Sequence, residues 1–345
     1  MVTIRAIIDH LAAVAPPVYQ EGYDNAGLIV GDASQACTGV ITCLDSTEAV
    51  VAEAVAKGCN LIVAHHPIVF RGLKQFTGRT YVERVVMAAI RHGIAIYAIH
   101  TNLDNVYAQG VNGRIAARLG LVNTRILAPQ ATLKRATIWT EAAQADALKA
   151  ALTGAITGPQ LPATAIRQLS LGDRADQAVS IRLEVVYAIG QHQALGRVLA
   201  DFPEADVIYS EISNVNPLTG AGLVGDLAAP MSEMAFLQHL KEQMQVGCVK
   251  YTGLRGENVQ TVALCGGAGG FLLPQAKAAG AQFFVTADYK YHEFFDAEAQ
   301  IIIADIGHYE SEQFTIDLLA EIIREKFGNF AVHLTAVNTN PVNYL

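Results

Sequence analysis

The protein has 345 residues, with 24 Lys and Arg against 32 Asp and Glu, so its net charge is −8. This acidic balance argues against a bulk electrostatic contact with nucleic acid or an anionic membrane. The hydrophobic fraction of 52% predicts a globular chain with a large core, and no apolar run approaches the roughly 20 residues that a membrane-spanning helix needs.

The N-terminal sequence MVTIRAIIDHLAAVAPP predicts a short strand or turn followed by an amphipathic helix, and it lacks the pattern of a secretory signal. The five cysteines are odd in number and widely spaced, and they form no CxxC pair. Small buried thiols in a reducing compartment explain this usage better than disulfides or a cysteine metal site. We therefore expect a cytoplasmic protein.

From residue 39 to residue 121, short apolar runs alternate with helical patterns, as in parallel strands covered on both faces. The first helix of this region is predicted to have Asp45 or Ser46 as its N-cap and Gly58 as its stop. The predicted strands are GVITCLD, NLIVAHH and IAIYAIHTN, and the helices are STEAVVAEAVAKG, TYVERVVMAAIRHG and GVNGRIAARLGL. After Cys248 the alternation returns, with strands VQTVALC, AQFFVTA, QIIIADIG and NFAVHLTAV and helices FLLPQAKAAG, YKYHEFFDAEA and YESEQFTIDLLAEIIREKFG.

The predicted elements in the middle of the chain follow a different order. Two β-α-β units are joined there by the Gly-, Pro- and Thr-rich loop TGPQLPATAIRQ. This order predicts a ferredoxin-like α+β domain. The predicted fold is therefore α/β, with a three-layer core of mostly parallel sheets formed by two halves of the chain. Residues 1–125 and 245–345 would form this core, and residues 126–244 would form the inserted domain.

Three groups of polar side chains follow predicted strands, at the edge where open α/β sheets bind ligands. His65 and His66 end NLIVAHH, Asp104 lies just past IAIYAI, and His308 and Glu312 lie four apart at the start of a helix. A core or capping histidine, a turn aspartate and a capping glutamate are the alternatives for each group taken alone. Together the five residues form a mixed nitrogen and oxygen set that suits Zn, Fe(II) or Mn.

Five ligands exceed what one tetrahedral catalytic ion takes from a protein. Two divalent ions per chain, bridged by Glu312, would use all five and leave room for a water. His100 and Asn102 would suit hydrogen bonds that orient a ligand.

Two further features are candidates for catalysis or binding. His292 lies one helical turn after Asp288 and would act as a general acid or base, with a packed helix-face histidine as the alternative. Backbone amides of the turn at Gly266, Gly267, Gly269 and Gly270 would hold a phosphate, although a tight strand-to-helix turn explains the same glycines.

The chain resembles the dinuclear-metal family called GTP cyclohydrolase I type 2 or Nif-three-like proteins. The motifs that carry this resemblance are YDNAGLIVG, CLDSTEAVVAEAV, AHHPIVF, IHTNLDNV, VGDLAAPMSE, CGGAGG, VTADYKYHE and DIGHYESEQF. The resemblance implies that His65, His66, Asp104, His308 and Glu312 are metal ligands. It also implies a regulatory-protein-like insert and a homohexamer built from trimers. Tyr23 replaces a usual tryptophan and Ala287 a usual glycine, which puts the substrate preference in doubt.

These observations favour a metal-dependent hydrolase that acts on a nucleotide through a metal-activated water. The family name implies that GTP is opened to dihydroneopterin triphosphate and formate. A nucleotide phosphoesterase is chemically as easy for such a centre. A non-catalytic metal-binding or regulatory protein is the alternative from another class.

Overall fold

A computed structural model of the chain describes residues 2–156, 166–170 and 180–345. The loop expected at residues 157–168 lies outside the described residues as far as residue 165, and its last three residues belong to a strand rather than a loop. The helices are α1 (Ile4–Val14), α2 (Glu48–Ala56), α3 (Tyr81–Arg91), α4 (Thr101–Asp104), α5 (Val111–Arg118), α6 (Ala142–Ala155), α7 (His192–Ala200), α8 (Glu233–Gln243), α9 (Leu273–Ala278), α10 (His308–Glu312) and α11 (Thr315–Lys326). The strands are β1 (Gly27–Val30), β2 (Val40–Cys43), β3 (Leu61–Ala64), β4 (Ala95–Ala98), β5 (Leu121–Gln130), β6 (Leu133–Glu141), β7 (Ile166–Ser170), β8 (Ser180–Ala188), β9 (Asp206–Glu211), β10 (Asn216–Ser232), β11 (Lys250–Tyr251), β12 (Asn258–Leu264), β13 (Phe283–Thr286), β14 (Ile302–Asp305) and β15 (Val332–Leu334).

The chain divides into two compact units, one formed by residues 1–128 and 221–345 and the other by Pro129–Gly220. The smaller unit is shorter than the 126–244 segment expected from the sequence. The difference arises because the second half of β10 pairs with β12 of the larger unit. In addition, Phe236 of α8 packs on Phe283 of β13, with ring centroids 4.6 Å apart.

The larger unit contains two sheets whose central strands are parallel, as predicted for an α/β fold. In the first, β4, β3, β2 and β15 run parallel and β1 is an antiparallel edge strand. Strands β2, β3 and β4 are buried along their whole length, which explains their uninterrupted apolar sequences. Because β15 comes from the end of the chain, this sheet joins both halves of the sequence.

The second sheet has the order β11-β14-β13-β12-β10-β5. Strands β12, β13 and β14 are parallel at its centre, and β11 and β10 pair with them antiparallel. Residues at the carboxyl ends of β13 and β14 include Asp288 and His308. The two sheets therefore supply the strand ends from which the candidate site is built.

The smaller unit has the strand order β7-β8-β6-β9, and its described pairs are antiparallel. Leu148 of α6 and Leu195 of α7 are fully buried in one apolar cluster with residues of this sheet. Within the described ranges, no helix is long and apolar enough to cross a membrane.

Helix α2 ends before Gly58, as predicted, but its N-cap is Thr47 rather than Asp45 or Ser46. The Thr47 side chain accepts a hydrogen bond from the backbone N–H of Val50. Asp45 is not available as a cap because its carboxylate accepts hydrogen bonds from a histidine ring and from a threonine near the C-terminus.

Two helix predictions were wrong in detail. The long helix expected from Tyr309 onward is divided into α10 and α11. Next to the break, the side chains of Ser311 and Gln313 donate to the carbonyls of His308 and Glu310. The helix expected in YKYHEFFDAEA is a 3-10 helix over Tyr291–Ala297.

Candidate metal centre

The five predicted ligands come together at the carboxyl ends of three strands. His65 and His66 follow β3, Asp104 ends the short helix after β4, and His308 and Glu312 begin and end the short helix after β14. The short helices that follow β4 and β14 turn the chain back toward the strand ends. The five predicted ligands, which are far apart in the sequence, are therefore close together in the structure.

Glu312 lies at the middle of the group, and its two carboxylate oxygens face different partners. Oε1 is 3.7 Å from His65 Nε2. Oε2 is 2.9 Å from His66 Nε2 and 3.3 Å from His308 Nε2. Asp104 Oδ1 lies on the His65 side, 3.7 Å from His65 Nε2. The arrangement forms two sets of donor atoms that share one carboxylate.

Two atoms of the first set are buried without a hydrogen-bond partner, namely His65 Nε2 and Asp104 Oδ1. A buried polar atom left unsatisfied costs about 1–3 kcal/mol, so such atoms indicate a missing partner. His65, His66 and Glu312 each offer a ligand atom within 4.8 Å of the others. These nitrogen and oxygen donors fit a divalent transition metal or Zn²⁺.

Each histidine is held in position through its Nδ1 atom. His65 Nδ1 donates to the carbonyl of Ile99 at 2.9 Å, and His66 Nδ1 donates to Asp45 Oδ1 at 2.9 Å. His308 Nδ1 donates to Asp288 Oδ2 at 2.7 Å. Such contacts fix the orientation of each ring and direct its Nε2 toward the place that a metal ion would take. All three imidazoles therefore present Nε2 to the centre.

Hydrogen bonds and neighbouring negative charges together raise the pKa of two of these rings. Burial alone lowers the pKa of His66, but its hydrogen bonds to Asp45 and Glu312 outweigh burial and raise that pKa to about 10. In the same way, burial lowers the pKa of His308, whereas Asp288 and Glu312 raise it to about 11. The metal-free centre thus carries protonated imidazoles at neutral pH.

The pKa values of the two buried carboxyl groups, Asp104 and Glu312, are shifted in opposite directions. Burial and the neighbouring charge of Glu312 raise the pKa of Asp104 to about 8. Burial also works to raise the pKa of Glu312, but the surrounding imidazoles hold it well below its usual range. Glu312 is therefore the carboxylate that stays ionised among the histidines.

Sequence reasoning did not identify Asp24, Asp45 and Asp288 as parts of the site. Asp24 Oδ1 accepts from His100 Nδ1 at 2.8 Å, and its other oxygen accepts from the backbone and hydroxyl of Thr101. Burial would raise the pKa of Asp24, but these hydrogen bonds lower it to about 2. Single aspartates in turns carry no spacing signature. Position after a strand was a usable signal for Asp45 and Asp288, whereas Asp24 precedes β1.

His100 lies beside the predicted ligands, with its ring centroid 5.4 Å from those of both His65 and His66. Asn102 does not orient a ligand as predicted. Its side chain accepts from the backbone N–H of His100 and donates to the carbonyl of Ala15. Asn102 therefore ties the strand end to the N-terminal region.

The prediction that His292 faces the cleft is not met. His292 is exposed on the 3-10 helix, where its ring lies near Tyr291 and Phe295, and it is not among the residues that line the cleft. Asp288, with a left-handed backbone at φ +60°, turns the chain after β13 and takes the position beside His308. As a result of this turn, His292 lies outside the cleft.

The glycine turn after β12 offers few free amides for a phosphate. The backbone N–H of Gly266 donates to Asn112, that of Gly267 to Ser311 and that of Gly269 to Thr286. Gly267 has φ +64°, and a Cβ atom there would lie 2.5 Å from Glu312 Oε1. The turn therefore serves close approach to Glu312 rather than the anion binding considered from the sequence.

The cleft around these residues has a volume of about 820 Å³. Among the described residues, Lys250 is the only Lys or Arg that lines it, and its ammonium lies 2.6 Å from Asp305 Oδ2. Aromatic side chains stand at the cleft, with the exposed rings of Tyr23 and Phe70 6.3 Å apart between centroids. Its open mouth would accept a small organic molecule.

Gly267→Ala should weaken binding of Zn²⁺ at least about tenfold, because the added methyl group displaces the Glu312 carboxylate. Gly93→Ala is a matched control, since Gly93 has φ +63° and nothing within 4 Å of its Cβ position. Both variants should lose about 1 kcal/mol of stability from the left-handed backbone. Equal Zn²⁺ affinities in a chelator competition would contradict this role of Gly267.

Zn²⁺ binding at pH 7 should release protons, because the pKa values of His66 and His308 lie near 10 and 11 without metal. The affinity should therefore rise with pH through the neutral range. Calorimetry in PIPES and in TES measures the release, since the two buffers take up protons with different heats and neither precipitates Zn²⁺. The same binding enthalpy in both buffers would count against the protonated state described above.

Comparison with known proteins identifies the family of the chain. The model of the family Duf34/NIF3 (NGG1p interacting factor 3) matches residues 2–341. A GTP cyclohydrolase 1 type 2 homolog of Bacillus subtilis is 30% identical over 368 aligned positions, which cover 99% of this chain and 98% of the relative. A relative of the same description from Staphylococcus epidermidis is 29% identical, with 95% of this chain and 96% of its own covered.

A solved structure, described as a Bacillus cereus protein related to NIF3, superposes with a TM-score of 0.85 at 27% identity. The superposition covers 100% of this chain and 99% of that one. The resemblance inferred from the HHP, HTNLD and GHYESE motifs is thus confirmed. The chain belongs to the Duf34/NIF3 family.

Proposed function

We propose that the protein is a metal-dependent hydrolase with two divalent ions per chain, of Zn, Fe or Mn. The observation that carries this proposal is the position of Glu312, whose two oxygens face separate sets of donor atoms. His65 and Asp104 would hold one ion, and His66 and His308 the other. Glu312 would contribute one oxygen to each. The name of the relatives, GTP cyclohydrolase 1 type 2 homolog, agrees with a hydrolase.

When bound, two divalent ions polarise a substrate oxygen and lower the pKa of a coordinated water. The protein must then hold the substrate and supply a proton to the leaving atom. His100 suits the second task, since it lines the cleft and the proposed ligand set does not require it. Its Nδ1 is committed to Asp24, which leaves Nε2 for a substrate.

The cleft supports a nucleotide as substrate. Tyr23 and Phe70 expose adjacent rings at its mouth, and exposed aromatic rings bind planar bases by stacking. Lys250 would contact a phosphate, because its ammonium lines the cleft and is largely exposed. GTP is the first nucleotide to test, given the names of the relatives. Hydrolysis of a nucleotide phosphoester is the second reaction to test.

Two structural features support finer proposals about fold and assembly. The order β7-β8-β6-β9 with two helices supports a ferredoxin-like inserted domain in the smaller unit. In the larger unit, Tyr251, Leu254, Tyr291 and Phe295 are exposed around a second cavity of about 730 Å³. Such apolar exposure supports self-association, for which we propose the homohexamer that the family resemblance implies.

Metal-replete protein should contain close to two divalent ions per chain. Glu312→Ala should lose both ions more readily than Asp104→Ala, because Asp104 belongs to one set of donors and Glu312 to both. Asp317→Ala, an exposed carboxylate on α11, controls for general effects of removing a charge. Elemental analysis after dialysis measures the content. One ion per wild-type chain, or equal loss in the two site variants, would contradict the bridging role.

Metal-loaded protein should turn over at least one nucleotide in a panel that scores released formate and phosphate separately. Formate from GTP would indicate ring opening, and phosphate would indicate a phosphoesterase. His100→Gln should keep both ions while kcat falls by roughly 10²–10⁴, the usual scale of acid–base help.

His292→Asn is the comparison variant and should keep the wild-type kcat, because this histidine lies outside the cleft. If His292→Asn lowers kcat and His100→Gln does not, the assignment of the proton donor is wrong. If fully metallated wild type turns over no nucleotide, the non-catalytic metal-binding alternative replaces the enzyme.

A further inference from the structure

The last residues of the chain, 338–345, follow β15 and run along the cleft. We call this segment the C-terminal strap. Asn340, Pro341, Val342 and Tyr344 line the cleft together with the metal-centre residues. Within the strap, Asn338 Oδ1 accepts from the backbone N–H of Asn340, and Asn340 Oδ1 accepts from that of Val342, both at 3.0 Å. These local hydrogen bonds give the strap a defined shape.

Two side chains attach the strap to the site. Thr339 Oγ1 donates to Asp45 Oδ2 at 2.8 Å, and Asn340 Nδ2 donates to Glu310 Oε1 at 2.9 Å. Glu310 is buried on the same short helix that carries His308 and Glu312. The strap is therefore bound to the loop after β2 and to α10.

The contact with Asp45 connects the strap to one predicted ligand. Asp45 uses Oδ2 for the Thr339 hydroxyl and Oδ1 for His66 Nδ1, at 2.8 and 2.9 Å. One carboxylate thus fixes both the strap and the imidazole. A carboxylate with both oxygens occupied has less freedom to rotate, so the hydroxyl contributes to the orientation of the His66 ring.

The other two imidazoles have different supports. His65 Nδ1 donates to the backbone carbonyl of Ile99, and His308 Nδ1 donates to Asp288. The described hydrogen bonds of the strap reach neither of these supports. A change at Thr339 should therefore act on His66 and on the ion that it would hold.

We propose that Thr339 and Asp45 are positioning residues, through which the C-terminal strap sets the affinity of one of the two metal positions. This inference rests on the proposed metal centre. It implies that the position held by His66 and His308 responds to the strap, whereas the position held by His65 and Asp104 does not. A substrate that displaces the strap would then loosen one ion selectively.

The test is a Zn²⁺ titration of the 345-residue chain against a chelator, which resolves two binding steps. Thr339→Val keeps the side-chain shape and removes the hydroxyl, and it should weaken one step about tenfold while leaving the other unchanged. Thr335→Val is the matched control, because its hydroxyl donates to Glu53 Oε2, a carboxylate on α2. Thr335→Val should leave both steps unchanged. Asp45→Asn should weaken the same step as Thr339→Val, by about 10–100-fold.

Selective weakening of one step in both Thr339→Val and Asp45→Asn supports the inference. If Thr339→Val matches Thr335→Val while wild type binds two ions, the inference is wrong and the metal centre stands. Equal weakening of both steps also overturns it, since the strap would then act on the site as a whole. A wild type that binds no Zn²⁺ overturns the inference and the proposed function together.

Discussion

The site depends on one buried carboxylate. Glu312 is 3% exposed, and a charge in such a place is unfavourable unless strong partners surround it. Imidazoles of His65, His66 and His308 supply these partners, and the two protonated ones carry the positive charge in the metal-free protein. A divalent ion on each side would replace those protons. The same carboxylate thus accounts for the position of the three histidines, the raised pKa values of His66 and His308 and the close approach of the Gly267 backbone.

The fold places this carboxylate by joining distant parts of the chain. The first sheet supplies His65 and His66 through β3, and the second supplies His308 through β14. Strand β15 returns the end of the chain to the first sheet, beside β2, and this brings the strap back to Asp45. Each of the three histidines is held by a contact from a different part of the fold. The site is therefore a product of the whole larger unit rather than of one motif.

Sequence reasoning was strongest where a polar motif follows an uninterrupted apolar strand. His65, His66, Asp104, His308 and Glu312 were all identified in this way, because strand ends and ligand chemistry are both visible in the sequence. It was weakest where a residue acts through another residue. Asp24, Asp45 and Asp288 each support a histidine across the fold, and no spacing along the chain reveals a partner that tertiary structure supplies. The same limit explains Thr47 as the cap of α2, since Asp45 is taken by His66.

The prediction for His292 shows a related limit. Because His292 follows β13 closely in the sequence, it was expected to reach the cleft. The left-handed backbone at Asp288 redirects the segment that follows. The turn at Asp288 therefore determines which residue of DYKYHEF lies at the site. Asp288 reaches it, and His292 is left on the surface.

Anomalous diffraction from crystals soaked with Zn²⁺ tests the central claim most directly. We expect two peaks, one beside Glu312 Oε1 with His65 and Asp104, and one beside Oε2 with His66 and His308. A single peak, or peaks that do not contact Glu312, would contradict the claim that this carboxylate joins two metal positions.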